Sequence, residues 1–129
     1  FIRIFIFSHI PRALMLAPAE RQVLRLQSEI CKSLANPKRL EILHELRGGE
    51  RTVGELCAAT GLRQATVSQH LALMRHRKMV IERRSGNTVF YRIVDKRITR
   101  ACDIMRDVLM HQASEESKLV QLASASSRS

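Results

Sequence analysis

The sequence predicts a mainly α-helical fold carrying one small β-hairpin, and three observations predict it. Aromatic residues are scarce, with four Phe, one Tyr and no Trp in 129 residues, so the core must come from Leu, Ile, Val, Ala and Met. Apolar residues recur at spacings of three and four along most of the chain, the period of a helix with one buried face. After Lys78 the period changes, into two β-rich runs about Ser85-Gly86-Asn87. The length suits one compact domain with tails.

A first helix is expected from about Ala19 to Ala35, with Val23, Leu26, Ile30 and Leu34 on one face. Asn36-Pro37 marks a boundary, because Asn caps a helix well and Pro at the first helical position loses no hydrogen bond. The second helix then runs from Pro37 to Arg47, with Leu40, Leu43 and Leu46 inward, and stops at Gly48-Gly49. Thr52-Val53-Gly54-Glu55 has the spacing of a capping box, in which Thr52 bonds the Glu55 amide and the Glu55 carboxylate reaches back. It opens a short helix, about Val53 to Thr60, ending at Gly61. Another helix follows within three residues, with Val67, Leu71 and Met74 on one face.

Helix, glycine turn and helix over some 25 residues form a helix-turn-helix pattern. Met79–Arg84 and Thr88–Ile93 then pair about a Gly-Asn turn, and a hairpin directly behind a helix-turn-helix makes a winged helix. Asp95 is placed to cap a last helix whose stripe holds Ile98, Ala101, Cys102, Met105, Val108 and Leu109. Residues 1–18 read as an apolar N-terminal extension, with Met15 an alternative start, and 19–112 as the domain. Residues 113–129, with six Ser in 17, read as a fraying tail.

The charge balance points to a polyanionic partner. Lys and Arg number 22 against 12 Asp and Glu, a net charge of +10. The charge is regional: residues 63–100 hold ten basic and two acidic residues, which is +8 of the +10. On a duplex, the second helix of the motif enters the major groove, where Arg63, Gln64, Thr66, Ser68, Gln69 and His70 form its polar face. Gln can pair bidentately with an adenine edge, and Ser and Thr hydroxyls serve bases or phosphates. Arg83, Arg84, Asn87 and Thr88 at the hairpin tip are placed to follow the backbone or enter a minor groove. Each residue alone fits an ordinary solvated face; a polar motif helix, a wing and concentrated charge together favour DNA.

These segments resemble a known family. Ser33-Leu34-Ala35-Asn36-Pro37-Lys38-Arg39-Leu40-Glu41-Ile42-Leu43, then Thr52-Val53-Gly54-Glu55-Leu56-Cys57, then Ala65-Thr66-Val67-Ser68-Gln69-His70-Leu71, are similar to the ArsR/SmtB winged-helix repressors of bacteria and archaea. So is the wing, Arg83-Arg84-Ser85-Gly86-Asn87 before Val89-Phe90-Tyr91. The resemblance covers about residues 19 to 112. It implies a homodimer joined through the first and last helices, bound to a double-stranded DNA operator and released by an inducer. The apolar stripe of the last helix, which a domain this small need not bury alone, agrees with use by a partner helix, with ordinary core packing as the alternative.

The resemblance also shows what this chain lacks. The family's thiolate site has Cys-x-Cys after Glu-Leu, whereas Cys57 is followed here by Ala58-Ala59. Its zinc-type site would fall on Asp95, Arg97, Val108 and His111, two of which cannot bind zinc. Its persulfide-sensing cysteines would fall on His44 and on Met110-His111. No metal site and no cofactor are therefore expected, and the scattered His44, His70, His76 and His111 read as structural. Cys31 and Cys102 remain, on the two helices implied at the dimer interface, as a candidate dithiol sensor of oxidation, persulfide or a soft ion. Buried packing is the alternative for both.

An enzyme is not expected, since no nucleophile elbow, phosphate loop or paired carboxylates appear. A metal- or metalloid-responsive repressor with a rebuilt site, or a non-specific architectural nucleic-acid protein, are the alternative functions. Three cysteines without a secreted spacing indicate free thiols and a cytoplasmic protein. No membrane partner is expected: no apolar run reaches about 18 residues, and Phe1–Phe7 alternates like a strand.

Overall fold

The computed structural model describes residues 16–127. The stretch Phe1–Phe7, with most of the expected N-terminal extension, lies outside the described residues. The elements run α1 (Pro18–Leu34), α2 (Pro37–Leu46), β1 (Arg51–Thr52), α3 (Val53–Thr60), α4 (Gln64–His76), β2 (Val80–Ser85), β3 (Thr88–Ile93) and α5 (Arg97–Ser127).

Local chemistry sets most of these boundaries. The Asn36 carboxamide oxygen accepts from Lys38 N (3.0 Å) and Arg39 N (3.2 Å), satisfying two amides that the first turn of α2 leaves open. Thr52 Oγ1 accepts from Glu55 N at 3.1 Å and donates to Glu55 Oε1 at 3.3 Å, so the carboxylate reaches back to the hydroxyl. Gly61 closes α3 at φ 72°, a left-handed position where a Cβ is strained. Gly86 takes φ 61° at the first central position of the two-residue hairpin turn, with Ser85 paired to Thr88. Asp95 Oδ1 accepts from Arg97 N at 2.9 Å, the cap expected at the start of α5.

The core lies among α2, α3, α4 and the sheet. Ile42, Leu43, Leu46, Leu56, Val67, Leu71, Met74, Met79 and Val80 are buried together, with Leu34, Tyr91, Ile93 and Ile98 packed at the edge. The inner triad of α4 is the expected one. On α2 the expectation needs correction, since Leu40 is 41% exposed while Ile42 is fully buried. Residues 42, 43 and 46 form the face that meets α3 and the sheet, and Leu40 lies off that face.

The sheet has three strands in the order β1-β3-β2, all antiparallel. β1 was not anticipated. Two residues carry no periodicity, and Arg51 and Thr52 become a strand only by pairing with Tyr91 and Phe90.

The C-terminal segment also differs from expectation. Instead of fraying at residue 113, α5 continues to Ser127. Ala113, Glu115, Glu116, Lys118, Leu119, Gln121, Leu122 and Ala123 are good helix formers, and Lys118 Nζ pairs with Glu115 Oε1 at 3.3 Å. Serine content alone is a weak guide where such residues alternate with it.

Helices α1 and α5 contribute little to the core. Val23, Leu26 and Ile30 of α1, and Met105, Val108 and Leu109 of α5, are exposed in the single chain. Two ion pairs fasten these helices to the body: Arg77 Nη2 to Glu29 Oε2 at 2.8 Å, and Arg47 to Asp103.

Candidate nucleic-acid interface

The helix-turn-helix is α3, the Gly61-Leu62-Arg63 turn, and α4. Gln64 and Ser68 are exposed one turn apart on α4, and Gln69 is exposed beside Ser68. Arg63 precedes α4 as its N-cap residue without a side-chain cap bond, and the first turn holds no acidic residue. The open amides and positive helix end are therefore uncompensated by the protein, an arrangement suited to an approaching phosphate.

Thr66 and His70 lie on the flank of α4, each half-buried. His70 Nδ1 sits 3.5 Å from Arg39 Nη1 of α2. Burial, and then the positive charges of Arg39 and Lys38, push the His70 imidazole below its ordinary pKa. Arg39 itself closes the end of α1: Nε donates to the Ser33 carbonyl, and Nη2 donates to the Lys32 carbonyl at 3.3 Å. Of the six residues expected on the motif helix, His70 is thus the one with a side-chain partner among the described residues.

The other end of α4 is tied to the wing. Arg75 Nη1 meets Glu82 Oε1 of β2 at 2.9 Å, and Tyr91 Oη donates to Glu82 Oε2 at 3.4 Å. Burial, and then the Glu82 charge, raise the Tyr91 phenol. The last turn closes with Met79 N donating to the Met74 carbonyl and Lys78 N to the Arg75 carbonyl, each at 2.9 Å. This is a Schellman closure, and it holds Lys78 at φ 59°.

The wing residues Arg83, Arg84, Asn87 and Thr88 are all exposed. Arg84 has no ion-pair partner among the described residues. Arg83 has one: its Nε and Nη2 donate to Glu50 Oε1 at 3.0 Å and Oε2 at 2.8 Å, and its guanidinium carbon stands 4.7 Å from the Phe90 ring centroid. Hydrogen bonding to Arg83 holds the Glu50 carboxyl below its usual range. Glu50 was missed by sequence reasoning, which had no signal to join residues 33 positions apart.

The basic segment is therefore partly neutralised. Within residues 63–100, Arg75, Arg77, Arg83 and Arg97 are paired with Glu82, Glu29, Glu50 and Asp95. Arg63, Lys78, Arg84, Arg92, Lys96 and Arg100 are exposed and form no ion pair among the described residues.

All three cysteines are free thiols. Cys31 is exposed on α1, whereas Cys57 and Cys102 are half-buried. Burial raises the Cys102 thiol, with Asp103 acting in the same direction against the opposing charge of Arg47. Among the described residues no three His, Cys, Asp or Glu side chains gather as a metal site, and no helix is long and apolar enough to cross a membrane.

Comparison with known proteins fits this geometry. The bacterial regulatory protein arsR family profile matches residues 36–80, from the Asn36 cap to the first residue of β2. The transcriptional repressor SmtB of Mycobacterium tuberculosis is 34% identical over 99 residues, spanning 77% of this chain and 71% of its own. The crystal structure of M. tuberculosis Rv0081 superposes with a TM-score of 0.67 at 33% identity, covering 78% of this chain and 98% of that one. A homodimeric winged helix-turn-helix DNA-binding domain from Mycobacterium bovis, Mb0332, superposes with a TM-score of 0.70 at 28% identity, covering 79% and 94%. The chain belongs to the ArsR family of bacterial transcriptional regulators.

Proposed function

We propose that two copies of this chain bind an operator in double-stranded DNA and repress transcription by occupying it. The observation that carries this reading is the α4 face: Gln64, Ser68 and Gln69 lie exposed beside an uncapped helix N-terminus, on a helix braced from both sides. Each subunit presents α4 to one of two successive major grooves about 34 Å apart. Gln64 and Gln69 read base edges, with Thr66 and Ser68 on bases or phosphates. Arg63, Arg84, Asn87 and Thr88 hold the backbone and supply the salt-dependent affinity. Pairing of the subunits through α1 and α5 accounts for the apolar side chains those helices leave uncovered, and the homodimeric M. bovis domain supports it.

The finer reading concerns release. An inducer acting on α1 and α5 would tilt the two α4 helices away from the groove spacing. Cys31 and Cys102 are the proposed sensing thiols, supported by their free state and by their positions on those two helices. Cys31 is the accessible member of the pair, and Cys102 is the one whose burial holds it in the thiol form.

Fluorescence anisotropy with DNA selected from a random pool tests both readings at fixed salt. A specific repressor should prefer its site by roughly 10³-fold or more over random DNA. Indifference to sequence would instead identify an architectural DNA-binding protein. Oxidant or persulfide treatment should weaken operator binding by the wild type and leave Cys31→Ser and Cys102→Ser unaffected. Equal binding before and after treatment would overturn the thiol reading and leave the operator reading standing.

A further inference from the structure

Arg83 and Arg84 are adjacent in sequence and both exposed, yet the sheet puts them in opposite situations. Phe90 of β3 is the cross-strand partner of Arg83 on one side and of Thr52 on the other, so all three share a face of the sheet. Glu50 precedes Thr52 by two residues, which returns it to that same face beside Arg83. Its carboxylate takes the Nε–Nη2 edge of the guanidinium at 3.0 and 2.8 Å, and the Phe90 ring covers one plane at 4.7 Å. Arg84 points to the other face and has no such partner among the described residues. Arg92, paired in register with Ile81, is exposed and forms no ion pair among the described residues, but it shares the Phe90 face and its charge also lowers the Glu50 carboxyl.

We propose that Glu50 sets how strongly the wing grips phosphate: it holds Arg83 in an internal pair, making Arg83 a positioning residue and leaving Arg84 as the wing cation that meets DNA. This rests on the operator reading above. Turning Arg83 toward a phosphate would remove it from both the carboxylate and the ring. It would also leave an uncompensated carboxylate beside a polyanion, which opposes the exchange. As an intact pair, Glu50 and Arg83 displace no counterion from DNA and add nothing to the salt dependence. The pair joins the residue before β1 to β2 across β3, so it fixes the wing where Arg84 can act.

Anisotropy titrations of the full chain on its selected operator, across a salt series, test this directly. Glu50→Gln keeps the shape of the side chain and frees Arg83. Its log K against log salt should steepen by about 0.9 per subunit, with tighter binding at every salt. The double variant Glu50→Gln/Arg83→Gln removes the pair as a unit and should return to the wild-type slope. Arg84→Gln should instead flatten the slope by about 0.9 per subunit. If Glu50→Gln leaves the slope unchanged, or the double variant is flatter than wild type by about 0.9 per subunit, Arg83 already contacts phosphate and the inference is overturned. A wild type that binds no DNA overturns the operator reading and this inference with it. Melting temperatures recorded alongside separate a misfolded variant from an altered contact.

Discussion

Arg77, at the end of α4, and Glu29, in the middle of α1, meet at 2.8 Å across a gap of 48 residues. Their contact fastens α4 to the helix proposed to meet the partner subunit. Arg77 Nε is buried there without a hydrogen-bond partner, so the carboxylate is what balances a partly desolvated guanidinium. Glu29→Gln should lower stability by about 0.5–1 kcal/mol in urea denaturation at fixed protomer concentration. It should also speed amide exchange in the last turn of α4. Unchanged exchange there would mean that packing alone positions the helix.

Lys78 takes a left-handed conformation that a side chain resists and glycine does not. Lys78→Gly should stabilise the fold by about 0.5–1 kcal/mol, read as a higher urea midpoint with an unchanged slope. Lys78→Val should move the midpoint the other way. The Lys78 charge is unpaired among the described residues, so the glycine variant separates fold stability from DNA affinity.

Two groups predict the response to acid. The folded pKa of His70 lies below its ordinary 6.5, so its contribution to stability is complete above that pH and is lost as pH falls through the folded value. The melting temperature should fall as the pH drops below about 6.5, and His70→Gln should flatten that decline. Asp95 is drawn from 3.8 to about 2, first by the Arg97 side chain and then by its backbone amide. Its contribution is complete above about pH 4 and vanishes toward pH 2, a loss that Asp95→Asn should remove from the acid limb.

Gln64 and Arg84 should separate base reading from backbone holding. Gln64→Ala should relax the preference for the operator over single-base variants, each normally disfavoured by about 1–3 kcal/mol, while leaving the salt slope intact. Arg84→Gln should weaken all sequences alike and flatten that slope. The reverse pattern would exchange their roles.

The cysteines should differ in rate. At concentrations where the chain is monomeric, a thiol-specific disulfide reagent should modify Cys31 before Cys102, because Cys31 is exposed in the single chain while burial holds Cys102 protonated. Cys31→Ser should remove the fast phase. If both thiols stay unreactive in the native protein, neither serves as a sensor.

Much of the fold was legible because its signals are local. The Asn36 and Thr52 caps, the Gly61 turn, the Gly86 hairpin and the Val67–Leu71–Met74 stripe each depend on residues within a few positions of one another. A side chain and the amide it caps cannot be separated by the rest of the fold, so the winged helix-turn-helix and the polar face of α4 could be read from order and spacing. What required tertiary structure is what joins distant positions. β1 exists because β3 pairs with it; Ile42 displaces Leu40 from the core because α3 and the sheet meet one side of α2. His70 meets Arg39, and Arg83 is paired with Glu50, through contacts between residues 31 and 33 positions apart. The amino-acid sequence alone determined which cations and polar groups this protein carries and on which elements they lie. Only the packed structure decided which of those charges are neutralised internally, because an ion pair depends on distance in space.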